Sequence, residues 1–176
     1  MADLTHVDAS GAARMVDVSE KDVSHRSALA TGRLLTTPEV VTALRQNSLA
    51  KGDALATARI AGIMAAKRTP DLVPLCHPIG ISGVKVDLTV TDEGVDIAAR
   101  VKTADRTGVE MEALTAVSVA GLTLVDMVKA VDPAAVITDI RVEEKLGGKT
   151  GKWQRETPVR GSERSERLAG AESDRP

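Results

Sequence analysis

Apolar and polar positions alternate along two runs in the middle of the chain, "GVKVDLTVTD" (83–92) and "VDIAARVKTA" (95–104). A period of two marks each as a strand with one buried face. Asp92, Glu93 and Gly94 lie at the junction and are turn formers, so the pair reads as a hairpin. Upstream, "ARMVDVS" (13–19) and "SHRSALATGRLLT" (24–36) alternate well enough to predict strands, and "AAVITDIRVEEKL" (134–146) predicts a last one before the Gly-rich "GGKTGKW". Thr37 followed by Pro38 is an N-cap with proline at the first helical position, which opens a helix through about Arg45. A second helix starts near Gly52 and Asp53, runs through "ALATARIAGIMAAKR", and is stopped by Thr69 and Pro70. A third is expected from about Val109 to Val131, with Thr107 and Glu110 at the spacing of a capping box.

The order strand, helix, strand, strand, helix, strand, with an extra helix in the first connection, is the split pattern of a ferredoxin-like fold. The fold class is α+β, an antiparallel sheet with helices packed on one face. The third helix carries a further implication. Ala113 to Val125 contains no charge, and Leu114, Val117, Leu122, Val125 and Val128 cannot share one stripe at 3.6 residues per turn. One sheet cannot cover such a surface. The small residues Ala113, Ala116, Ser118, Ala120 and Gly121 would let another backbone approach, so a homo-oligomer is expected.

Composition narrows the function classes. The chain has 176 residues, no Phe, no Tyr and one Trp, so its core must be built from aliphatic residues and Met. Strands without aromatics cannot stack bases, and a net charge of -2 gives no reason to expect a nucleic-acid or membrane partner. The longest uncharged run falls short of the roughly 18 residues that span a bilayer. Nothing at the start resembles a signal peptide, and a cytoplasmic location is the default expectation. One cysteine, Cys76, excludes an internal disulfide framework. Residues 1–12 read as a flexible N-terminus, 13–153 as the folded domain, and 154–176 as a disordered tail of Ser, Glu, Arg and Pro.

Candidate chemistry sits at the element ends. Asp126 and Lys129, at i and i+3, are neighbours on one helix face. Such pairs are commonly plain surface ion pairs, but here the pair closes a helix expected to be buried, where pKa values move. Glu112 has no capping duty, unlike Glu110, and is the better functional candidate of the two. From Glu112 to Asp126 the rise is about 21 Å at 1.5 Å per residue, too far for one small substrate to touch both from one helix. Different subunits must contribute them if both act. Lys51 precedes the Asp53 N-cap, an arrangement suited to an anion at a helix N-terminus as well as to a solvated loop lysine. Cys76 and His77 lie between Pro74 and Pro78 in a stiffened loop. No common nucleotide-binding loop and no dedicated metal cage is present. A non-catalytic ferredoxin-like module that holds an anionic nucleotide at a subunit interface would need the basic groups but not the Asp126–Lys129 pair.

The blocks "MVDVSEK", "KGDALATARIAGIMAAKRTPDLVPLCHPIGISGVKVDL", "TGVEMEALTAVSVAGLTLVDMVKAVD" and "GGKTG" together resemble the cyclic pyranopterin monophosphate synthase family, molybdenum cofactor biosynthesis protein C, from about Leu4 to Trp153. The resemblance implies a phosphorus–oxygen lyase, a hexamer built as a trimer of dimers, and a purine-derived triphosphate substrate. It places the family's catalytic aspartate on Asp126 and its essential lysines on Lys51 and Lys129. Substrate contacts fall on Leu75, Cys76, His77, Met111 and Glu112. Many members have cysteine where this chain has Val128. The triphosphate needs cations, and Lys67 and Arg68 are available beside Lys51 and Lys129. No cofactor is required by the residues, and Mg on the leaving diphosphate is compatible with them.

Overall fold

The computed structural model describes residues 10–149 and 151–156. Along the chain run β1 (Ser24–Leu35), α1 (Pro38–Gln46), α2 (Ala54–Ala66), α3 (Thr69–Leu72), β2 (Ile81–Val90), β3 (Gly94–Asp105), α4 (Glu110–Val128), β4 (Val136–Leu146) and β5 (Trp153–Gln154). The sheet order is β2-β3-β1-β4-β5, antiparallel at every pairing. The first four strands give the ferredoxin-like order expected from the sequence.

Alternation sets the faces. Ala28, Ala30 and Leu34 of β1, with Val95, Ile97, Ala99 and Val101 of β3, point to one side and are buried under Ala113, Ala116, Val117, Ala120 and Leu124 of α4. The small side chains bring the layers close. At Gly62 of α2 an added Cβ would stand 2.9 Å from the Ala116 carbonyl and 3.3 Å from the Ala120 side chain, so glycine permits the α2–α4 contact. Gly62 faces the middle of α4 and Lys51, just before α2, reaches Asp126 near its end, so the two helices run antiparallel.

Ten residues of α4 are buried, although its length and composition would also suit a membrane span; within this fold it is a core helix. Its covering is incomplete. Met111, Leu114, Ser118, Leu122 and Val125 form a stripe at helical spacing that is partly or largely open, with Leu122 60% exposed. Ser118 and Thr123 return their hydroxyls to the Leu114 and Val119 carbonyls at 2.8 Å, so neither leaves a hydroxyl proton without an acceptor.

Four expectations need correction. Residues 13–19 do not form a strand beyond one bridging position at Ala13. Met15 is 49% exposed, and Ser19 N–H turns back onto Asp17 Oδ1 at 2.8 Å, so the alternation there has no surface to bury. Thr69 and Pro70 stop α2 but also start the one-turn α3, where Pro70 occupies a first-turn position that needs no donor. The Thr107–Glu110 capping box is not made: the N-cap of α4 is Val109, with no side-chain cap, and Glu110 pairs with Lys145 at 3.4 Å. Trp153 and Gln154 add a short strand to β4, and Arg155 donates its backbone N–H to the Glu143 carbonyl at 2.8 Å, so the ordered chain reaches past residue 153. The expected N-terminal and C-terminal tails otherwise lie largely outside the described residues.

Candidate active site

Lys51, Asp126 and Lys129 come together from two elements. Lys129 Nζ lies 2.7 Å from Asp126 Oδ1, and Lys51 Nζ lies 3.0 Å from Oδ2 and 2.6 Å from the Asp126 carbonyl oxygen. The hydrogen bond from Lys129 and then that from Lys51 hold the Asp126 carboxyl below the usual carboxylate range. All three side chains are 40–57% exposed, so water and a ligand can reach them. Asp53 caps α2 itself by accepting from Ala56 N–H at 2.9 Å. Lys51 is thus paired with the carboxylate of α4, while Asp53 satisfies the first turn of α2.

At the other end of α4, Leu75, Cys76, His77, Met111 and Glu112 line a pocket of about 330 Å³, completed by Thr107, Gly108 and Glu110. The proline-framed loop holds His77 so that its Nε2 donates to the Val16 carbonyl at 2.7 Å, which fixes the ring against the segment before β1. Glu112 is 3% exposed, and burial pushes its carboxyl up to about 7 against the pull of its own backbone N–H; Glu110 adds to the rise. Burial, and then Glu112, push the Cys76 thiol up as well. A nearly buried carboxyl that titrates near neutrality can accept or release a proton under physiological conditions.

Beside the pocket lies a larger cleft of about 620 Å³, the two sharing Thr107, Gly108 and Glu110 as lining. Lys21, Arg26, Arg106, Lys145 and Lys149 bring positive charge to this cleft, which Glu20, Asp22 and Glu110 offset in part. Gly147, at φ +91°, lets the loop after β4 lie against the His25 backbone where a Cβ would collide. Ser24 Oγ, also on the cleft wall, is buried and has no hydrogen-bond partner. None of the cleft cations is a site candidate by sequence; the blocks "MVDVSEK" and "GGKTG" and the Thr107–Glu110 segment reach the cleft from three separate places.

The sequence-predicted residues thus fall into two groups that one chain does not join. Lys67 and Arg68 are exposed at the C-terminal end of α2, the end that the antiparallel packing places toward Glu112, and they line neither the pocket nor the cleft. Among the described residues no group of three His, Cys, Asp or Glu side chains is gathered to hold a metal ion.

Comparison with known proteins identifies the family. The chain is 71% identical over 152 residues to the cyclic pyranopterin monophosphate synthase of Streptomyces avermitilis, covering 86% of this chain and 89% of the relative. It is 70% identical over 155 residues to the enzyme of that name in Nocardioides sp., covering 86% and 95%. Cyclic pyranopterin monophosphate synthase 2 of Mycobacterium tuberculosis is 60% identical over 153 residues, covering 87% and 92%. The MoaC family model matches residues 15–148, which contain both clusters and all of the cleft lining except Lys149, and the chain belongs to the MoaC family.

Proposed function

We propose that this chain is a cyclic pyranopterin monophosphate synthase, a lyase of molybdenum cofactor biosynthesis that converts (8S)-3',8-cyclo-7,8-dihydroguanosine 5'-triphosphate to cyclic pyranopterin monophosphate and diphosphate. The observation that carries the reading is the Lys51–Asp126–Lys129 cluster, an ionised carboxylate held between two cations from different elements. Family membership supplies the substrate class. The residues supply the rest.

The ring system fits the pocket of Leu75, Cys76, His77, Met111 and Glu112, and the triphosphate fits the adjoining cleft, whose cations suit its charge. Rearranging the purine-derived ring to a pterin moves protons on and off nitrogen and carbon, work that an ionised aspartate and a lysine can share. In the phosphoryl step a substrate hydroxyl oxygen bonds to the α-phosphorus while the bond from that phosphorus to the diphosphate oxygen breaks. The hydroxyl proton passes to a base, and diphosphate leaves with the electron pair. Cations near the leaving group stabilise the charge it gains. Mg, where it takes part, enters as the counter-ion of the triphosphate, and no step here is assigned to it.

Because the pocket and the charged cluster stand about 21 Å apart along one α4, a complete site needs the pocket of one subunit and the cluster of another. The open stripe of α4 offers apolar surface for that contact, and the assembly implied by the family resemblance is a hexamer, a trimer of dimers. Subunit mixing tests this. Asp126→Ala and Glu112→Gln oligomers, each of low activity, are dissociated, mixed in equal amounts and reassociated, and diphosphate release is measured. Random pairing restores intact composite sites at about a quarter of positions. No recovery in verified mixed oligomers would refute the shared site. Wild-type protein that binds the cyclic triphosphate without releasing diphosphate would point to a binding module.

A further inference from the structure

Asp132 lies in the turn between α4 and β4, three residues past Lys129, and is 6% exposed. A carboxylate buried to this extent needs strong partners, and here they are neutral donors. Thr36 Oγ1 donates to Oδ2 at 2.7 Å, Thr37 N–H to the same oxygen at 3.2 Å, and Ala134 N–H to Oδ1 at 3.0 Å. The Thr36 hydroxyl is the main cause that holds the Asp132 carboxyl below the usual range.

These donors belong to different arms of the chain. Thr36 and Thr37 end β1 and cap α1, and the segment after α1 runs through buried Leu49 to Lys51. Thr36 is also anchored to the β2–β3 hairpin, donating its N–H to the Glu93 carbonyl at 3.0 Å. Asp132 itself is tied to the last turn of α4, its N–H donating to the Val128 carbonyl at 3.0 Å, next to Lys129. The carboxylate therefore joins the arm that delivers Lys51 to the helix that carries Asp126 and Lys129.

We propose that Asp132 is a positioning residue: by clamping the β1–α1 junction to the end of α4, it keeps Lys51 and Lys129 on the two oxygens of Asp126. The two lysines approach at 3.0 and 2.7 Å from separate elements. Such bonds are lost beyond about 3.5 Å, so a small slip of one arm undoes the arrangement. The effect on turnover rests on the catalytic reading of the cluster; the positional link does not.

Asp132→Asn tests the clamp with little change of shape. An amide can still accept from Ala134 N–H, but its nitrogen cannot accept from Thr36 and Thr37 as the second carboxylate oxygen does. Thr36→Val removes the shortest bond from the other side and leaves Asp132 in place. Carbon-13 NMR of the Asp126 carboxyl in the substrate-free assembled protein is expected to show its titration midpoint rising toward the ordinary aspartate value in both variants. The kcat is expected to fall roughly 10-fold while KM stays within about 3-fold, with the acid limb of the pH profile displaced upward. An unchanged Asp126 titration in both variants overturns the proposal, including where the thermal midpoint has dropped, since that is what a purely structural role would give. Asp126→Ala, measured alongside, separates the claims. Normal turnover by that variant would defeat the catalytic reading, while the titration still decides whether Asp132 positions the lysines.

Discussion

Glu112→Gln is expected to stabilise the protein, with the gain appearing above about pH 4.5 and complete above about pH 7. The Glu112 carboxyl is raised from 4.5 to about 7 by burial, which means that the fold favours its protonated form. Below pH 4.5 the carboxyl is protonated both folded and unfolded, and it imposes no electrostatic penalty. Between 4.5 and 7 the unfolded chain releases the proton while the folded chain retains it, so stability falls as pH rises. Above 7 the penalty is complete, at most about 3.5 kcal/mol at about 1.4 kcal/mol per pH unit, and about half of that if water enters the pocket. Glutamine has nearly the same shape and no proton to lose. In a chain of this size, about 1–3 kcal/mol corresponds to a rise of roughly 2–12 °C in melting temperature.

The assay is thermal or denaturant unfolding of both proteins from pH 4 to pH 9 without substrate. The difference between them should be near zero at pH 4 and grow through pH 5–7 before levelling off. A difference that stays flat across the series would refute the reasoning, because it would show that Glu112 has found a cation in the assembled protein or is not desolvated. The same variant should bind the cyclic triphosphate more weakly, so the position would favour function at the expense of stability.

Asp126→Ala, Lys129→Ala and Lys51→Ala should each lower single-turnover diphosphate release by roughly 100-fold or more while the oligomer assembles and binds substrate. Near-normal turnover by both Asp126→Ala and Lys129→Ala would return the cluster to ordinary surface ion pairing. Arg106→Ala and Lys149→Ala should raise KM and flatten its dependence on salt with little change in kcat if, as proposed, the triphosphate occupies the cleft; salt titration of initial rates checks this. Gly62→Val should cost about 1–3 kcal/mol by unfolding, since its side chain would meet the Ala116 carbonyl and force α2 from α4.

Local rules carried the sequence reading wherever a segment buries one regular face. The β2–β3 hairpin, the Thr37 and Asp53 caps and the uncharged α4 are such cases. "ARMVDVS" has the same alternation but lies outside the sheet, and alternation alone does not create a strand. The candidate residues were legible where they sit in continuous blocks: 75–77 and 111–112 meet in one pocket, and Asp126 meets Lys129. That Lys51 would cross 75 positions to the same carboxylate follows only from the antiparallel packing of α2 on α4. The cleft cations were missed for a related reason. Lys21, Arg26, Arg106, Lys145 and Lys149 lie at the ends and flanks of different strands, and no linear pattern joins them before the sheet is assembled. Asp132 was hidden more simply, since an acid in a turn beside proline reads as solvated until its burial is seen.

The two carboxyls of α4 also show which force sets their chemistry. A helix dipole favours an ionised acid near the N-terminus and disfavours one near the C-terminus. Glu112 stands in the first turn, where the dipole would lower its pKa, yet burial carries it to about 7. Asp126 stands in the last turn, where the dipole would raise its pKa, yet Lys129 and Lys51 hold it low. At each end the local environment outweighs the dipole, and the two groups are driven apart in opposite directions. Carboxyls separated in this way suit opposite roles, one able to give a proton near neutral pH and the other to remain charged. They cannot exercise those roles on one substrate from a single α4. Brought together across a subunit boundary, the protonated end of one helix and the ionised end of another would supply the proton donor and the charged partner that the ring rearrangement requires. On this reading the uncharged length of α4 is the packing element that holds two unlike half-sites apart within each chain and leaves assembly to join them.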